Sequence, residues 1–150
     1  MRIGLLETVP ILREKLKSER ILYPYGGKII AESIRRGARY DLILSDKSYF
    51  PKALSCQADV FLLPGSADPR HVPHQGIILT GGMALSDPVS FSSIGDEDAM
   101  LCVQQEIRLM GQNIVPFEKK VLFNRNFSLY KNLATGFDLS LAEILFTEEL

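Results

Sequence analysis

The chain has 150 residues, 46% hydrophobic and 23% charged, with a net charge of −1. That composition excludes disorder and low complexity, and the length suits one domain. No apolar run reaches the ~18–20 residues that cross a bilayer, and the N-terminus lacks a signal-peptide pattern, so no membrane partner is expected. Two cysteines, Cys56 and Cys102, are too few for a disulfide framework or a cysteine-based zinc site, so a reducing cytoplasm is the expected compartment.

The near-neutral total conceals an asymmetry. Residues 1–40 hold nine basic and four acidic side chains, a net +5, and the other 110 residues carry −6. A basic face can meet phosphate or nucleic acid. Glutamates interleave with these cations, however, and two solvated helix faces account for them more simply. Nucleic-acid binding is the weaker reading.

Short apolar runs alternate with helical periods, which predicts an α/β fold. Ile3-Gly4-Leu5-Leu6 reads as a first strand. Thr8 caps a helix with Val9, Leu12 and Leu16 on one face. Ile21-Leu22-Tyr23 reads as a second strand, placed at a sheet edge because Pro24 cannot donate a ladder hydrogen bond. Ile30 and Ile34 mark a second helix stopping near Gly37. Residues 40–46 read as a buried third strand, followed by a short helix around Pro51 to Cys56. Val60-Phe61-Leu62-Leu63 and Ile77-Ile78-Leu79-Thr80 give strands four and five, joined by a polar, proline-rich loop over 65–75. Residues 1–82 form a βαβ-type core on this reading.

Residues 83–150 read as a strand-helix-strand-helix extension of the same domain. Val89, Phe91 and Ile94 alternate with serines as a half-exposed strand. Asp96-Glu97-Asp98 precedes an apolar period, so a helix is predicted over 97–110 with a stripe of Met100, Val103, Ile107 and Met110, ended by Gly111. Leu101, Cys102 and Leu109 fall on its opposite side and need a cover: the C-terminal segment 127–150 or a second subunit. Short strands at 114–117 and 121–123 flank Glu118-Lys119-Lys120. Asp138 or Ser140 caps a last helix through Phe146. The expected architecture is a single-domain, three-layer α/β sandwich with a mostly parallel, Rossmann-like or flavodoxin-like sheet and a C-terminal α+β extension.

In such sheets the strand order is often 2-1-3-4-5, and ligands sit at the strand carboxyl ends where the order reverses. The crevice is then expected at Glu7, Thr8, Asp46 and Lys47, with Gly65, Ser66, Thr80, Gly81 and Gly82 beside it. Clustered small polar residues after three successive apolar strands fit a small anionic ligand, a nucleotide or phosphorylated metabolite. Backbone N–H groups near the glycines would bind the anion, Ser66 and Thr80 would donate hydroxyls, and Asp46 would orient polar groups. Turns that leave parallel strands are made of Gly, Ser and Asp in any case.

Dinucleotide and phosphate-loop fingerprints are absent: no glycines follow the first strand, and Gly26-Gly27-Lys28-Ile29 lacks the hydroxyl after its lysine. Tyr40-Asp41-Leu42-Ile43-Leu44-Ser45-Asp46 resembles the central strand of phosphoacceptor receiver domains, which would imply phosphorylation of the last aspartate. The rest of that pattern is missing. Glu7 stands alone where an acidic pair is needed, and Thr80-Gly81-Gly82 replaces the lysine that ends strand five.

Asp68, His71 and His74 lie close enough to ligate a metal if their loop curls, although an exposed loop with incidental histidines explains them more simply. Glu7 with Asp46 would instead hold magnesium beside a phosphate. There is no G-x-S-x-G elbow, Ser92-Ser93 has no base nearby in sequence, and Cys56 reads as a buried, inert thiol. No catalytic reaction is readable. The alternative function is a non-catalytic regulatory or interaction domain acting through an apolar C-terminal surface, with a homo-oligomer formed through Leu101, Cys102, Leu109 or the C-terminal segment.

Overall fold

A computed structural model describes residues 1–6, 30–47, 55–65 and 76–146. Among the described residues the chain runs through ten strands: β1 (Arg2–Leu6), β2 (Ile30–Ser33), β3 (Arg39–Ser45), β4 (Gln57–Pro64), β5 (Ile77–Gly81), β6 (Val89–Ile94), β7 (Asp98–Val103), β8 (Ile107–Leu109), β9 (Gln112–Ile114) and β10 (Phe117–Leu122). One helix, α1 (Leu129–Phe146), follows. Eight strands form a mixed sheet in the order β10-β7-β6-β5-β4-β3-β1-β2, and β8 and β9 form a separate hairpin.

Neighbours from β2 to β6 are parallel, whereas β7 is antiparallel to β6 and to β10. This overturns the three-layer α/β sandwich. The described structure is strand-rich, with one C-terminal helix against a mixed sheet, so a Rossmann-like label does not hold.

The apolar runs explain the central strands. Leu42, Ile43, Leu44, Val60, Phe61, Leu62 and Leu63 are all fully buried, which requires cover on both faces and leaves no alternation in the sequence. Leu42, Leu44, Val60, Leu62 and Leu79 face the cluster that contains Leu133, Phe137, Leu141 and Leu145 of α1. Tyr40, Ile43, Cys56, Ala58, Phe61 and Leu63 make a second cluster on the other face.

The connection between the parallel strands β5 and β6 is short. Adjacent parallel strands ordinarily need a crossover of a dozen or more residues. Here β5 and β6 are joined by residues 82–88 alone, because they overlap at one pair, Gly81 with Val89. β6 therefore begins where β5 ends and continues past it, and the chain has no need to return to the amino ends.

Two predicted helices need correction, and two more fall wholly or mostly outside the described residues. Ile30 and Ile34 do not mark a helix, since Ile30–Ser33 is strand β2 beside β1. The helix predicted over 97–110 is strand β7 followed by the β8 half of a hairpin. The same residues carry two periods, and the alternation Ala99, Leu101, Val103 is the one that packs: these three are buried while Met100 and Cys102 are half-buried. Gly111 is not a helix stop. Met110 and Gly111 have φ of 52° and 75° and form the two-residue turn between Leu109 and Gln112, where positive φ at both positions suits the strand twist. The helix predicted around 51–56 falls mostly outside the described residues, as do the first helix and the strand at Ile21-Leu22-Tyr23.

The last helix begins earlier than its predicted caps. Ser128 is the N-cap, its Oγ accepting from the Lys131 N–H at 3.2 Å, so Asp138 and Ser140 lie in the helix interior. Asn132 fastens the preceding loop to the helix: its Nδ2 donates to the Asn124 carbonyl at 2.8 Å and its Oδ1 accepts from the Asn124 N–H at 2.8 Å. Residues 132–142 are buried on every side of α1. No described helix is long and apolar enough to cross a membrane.

Candidate functional site

The strand order reverses between β1 and β3, which lie side by side and end at Leu6 and Ser45. The Asp46 N–H donates to the Leu6 carbonyl at 2.9 Å and closes the two strands together. Ser45, fully buried, shapes the next turn: its Oγ accepts from the Lys47 N–H at 3.0 Å. Asp46 and Lys47, both half-buried, thus sit at the carboxyl ends of two adjacent parallel strands.

Gly65, Thr80, Gly81 and Gly82 do come together, at the ends of β4 and β5, but around a residue that the sequence reading did not single out. Asp87 is 4% exposed, accepts from the Thr80 hydroxyl at 2.9 Å and from the Ala84 N–H at 3.0 Å. A Cβ on Gly65 would lie 2.8 Å from an Asp87 carboxylate oxygen, and one on Gly82 only 2.5 Å away. The two glycines are needed for close approach to this side chain. The anion in the glycine cradle is the protein's own carboxylate.

The backbone donors expected to bind a ligand are engaged as well. The Gly65 N–H donates to the Gly81 carbonyl at 2.9 Å, and the Gly82 N–H to the Val89 carbonyl at 3.0 Å. One sequence signal for Asp87 existed. An aspartate directly before a proline, in the loop Gly81-Gly82-Met83-Ala84-Leu85-Ser86-Asp87-Pro88, is a turn initiator that can fold back on its own loop.

Tyr130, at the start of α1, is a residue near Asp46 that sequence reasoning did not single out. Its hydroxyl donates to the Leu62 carbonyl of β4 at 3.1 Å. Burial pushes the phenol well above its ordinary range, and the Asp46 carboxylate adds to the rise. The helix start is thereby pinned to the sheet near Asp46. Nothing local in the sequence signals a bond between residues 68 positions apart.

Glu7, Thr8 and Ser66 of the expected crevice, and the Asp68, His71 and His74 group, lie outside the described residues. Among the described residues, no group of three or more His, Cys, Asp or Glu side chains is placed to hold a metal ion. Leu101 and Leu109 are fully buried within a single chain, and Cys102 is half-buried on the opposite face of β7. The two-sided helix that placed all three on one outer surface is absent.

Compared with known proteins, the chain matches no family model, no curated protein and no solved structure.

Proposed function

We propose that the chain binds a nucleotide or another phosphorylated metabolite at the carboxyl ends of β1 and β3. The observation that carries this reading is the reversal of strand order between those strands, with the half-buried Asp46 and Lys47 next in sequence. Open sheets with parallel strands hold ligands at such points, because the chains leaving adjacent strands diverge there and open a crevice. On this reading the Asp46 carboxylate accepts from ligand hydroxyl or amine groups, and the Lys47 ammonium attracts the phosphate. The glycine cradle at Gly65 and Gly82 plays no part, since Asp87 fills it. Tyr130 ties the start of α1 to β4 near Asp46 through its bond to Leu62.

The test is thermal melting of the purified protein against nucleotides and sugar phosphates, with Asp46→Asn beside the parent. A ligand at about 100 times its dissociation constant adds about 2.7 kcal/mol, or roughly 5–10 °C for a domain of this size. A shift of that order in the parent, reduced in Asp46→Asn, is the expected result. A flat panel at saturating concentration, or a shift that Asp46→Asn leaves intact, rejects the site.

A further inference from the structure

A cavity lies under the helix, at the β10 edge of the sheet. Along one side of α1, Thr135, Gly136, Leu139, Ser140 and Glu143 recur at helical spacing and stand opposite Lys119, Lys120, Val121 and Leu122 of β10. Between them is a cavity of about 390 Å³ that also reaches Glu97 and Asp98 at the start of β7. Its size is within the usual range for small-molecule sites. Gly136 sets the closest approach of helix and sheet, since a Cβ there would come 3.0 Å from the Val121 side chain.

The chemistry of the lining is selective. Val121, Leu122 and Leu139 supply apolar walls. Two ion pairs cross the cavity's borders: Lys119 with Glu143 ties β10 to α1, and Lys120 with Asp98, at 3.1 Å, ties β10 to β7. Each lysine is matched by a carboxylate, and the exposed Glu97 is the surplus acid, so the lining carries a formal −1. A separate observation comes from Ser140. It is 1% exposed, it lines the cavity, and its Oγ makes no hydrogen bond. A buried hydroxyl left without a partner costs about 1–3 kcal/mol, and such groups are rare unless water or a ligand serves them.

We propose that this cavity is a second ligand site, which takes a small primary amine with an apolar body. The apolar part covers Val121, Leu122 and Leu139, the ammonium offsets the surplus carboxylate, and a turn of the Ser140 side chain about χ1 brings its buried Oγ to one of the ammonium N–H groups. A carboxylate ligand of the same size meets the same walls but adds to the negative charge. An uncharged alcohol satisfies Ser140 and leaves Glu97 uncompensated.

Hexylamine, hexanol and hexanoate separate these cases. Each is titrated into the full chain at neutral pH while backbone amide resonances are followed by NMR. Hexylamine is expected to give saturable shifts at Val121, Leu139 and Ser140, with hexanol weaker and hexanoate weakest. Glu97→Gln is expected to weaken hexylamine roughly two- to fivefold, the range of a solvent-exposed charge pair, with hexanol unchanged. Leu139→Trp fills the cavity and removes the shifts; if that variant does not fold, Leu122→Trp at the exposed wall makes the same test. No saturable shift, hexanoate binding as well as hexylamine, or shifts that survive a folded tryptophan variant would each overturn the proposal.

Discussion

The Thr80 hydroxyl donates to Asp87 Oδ1 at 2.9 Å, so a strand residue and a carboxylate seven positions later close the loop that carries the chain from β5 into β6, the last strand of the parallel run. The Ala84 N–H serves the other oxygen, Oδ2, at 3.0 Å, and the loop 82–88 is short because this carboxylate organises it from within. Met83 and Leu85, at 55% and 105% exposure, are left at its outer surface.

Asp87→Ala removes an acceptor from two donors, each of which is left to find water in a tight loop. A loss of about 2–4 kcal/mol is expected, from the usual value of hydrogen bonds to charged groups. Thr80→Val leaves the Ala84 bond in place and is expected to cost about 1–3 kcal/mol. Urea denaturation of both variants checks the order. A Thr80→Val loss as large as that of Asp87→Ala would mean that the Ala84 bond contributes nothing.

Gly82→Ala places a methyl group 2.5 Å from Asp87 Oδ2, a distance that no Cβ tolerates. Overpacking of this kind costs about 1–3 kcal/mol. In the Asp87→Ala background the clash is gone, so the same substitution is expected to cost less. A double-mutant cycle measures the difference. Additive losses would place the effect of Gly82 in its backbone and not in its contact with Asp87.

Two Arg2 hydrogen bonds to Glu32 Oε1, at 3.0 and 2.6 Å, hold the Glu32 carboxyl below its usual range and join β1 to β2 across the sheet. A lowered folded-state value means that the unfolded chain binds the proton more readily. The contribution of this pair is therefore present above the ordinary glutamate value, about 4.3, and is lost as the pH falls through the lowered folded value. Urea midpoints of the parent and Glu32→Gln, measured from neutral to acid pH, are expected to converge on the acid side. A gap that stays constant over that interval rules the linkage out.

The two thiols differ in reach. Cys56 is 2% exposed and its Sγ donates to the Arg35 carbonyl at 3.1 Å, whereas Cys102 is half-buried. Burial pushes the Cys56 thiol up, against the opposing effect of backbone hydrogen bonds from Ala38 and Gly37. Less thiolate and less access act in the same direction. With an aromatic disulfide reagent, Cys102 is expected to react first and Cys56 only as the chain opens. Equal rates in the native state would contradict the packing around Cys56.

Much of the sheet was legible locally. The apolar runs at 42–44 and 60–63 could be read as buried strands because burial on both faces leaves an uninterrupted hydrophobic signature. Residues 98–103 were not legible in the same way, since Ala99-Leu101-Val103 and Met100-Val103-Ile107 satisfy the strand and helix periods together. Pairing decides between them: β6 and β10 flank this segment on either side, and only the alternation lets three strands share one buried face. The glycines at 65 and 82 had an equally divided meaning. A glycine beside a small polar residue signals close approach to an anion, but the sequence does not say whether that anion is a ligand or a side chain.

What the amino-acid sequence determines by itself is local: which segments are apolar enough to be buried, where glycine and proline permit turns, and how charge is divided along the chain. Neighbours along the chain set these properties, within the span of a strand or a helical turn. Only the tertiary structure decides that Asp87 occupies the glycine cradle, that Tyr130 reaches Leu62, and that Leu101 faces the core. Those contacts depend on which strands lie side by side, and strand order is settled by burying all the apolar faces at once.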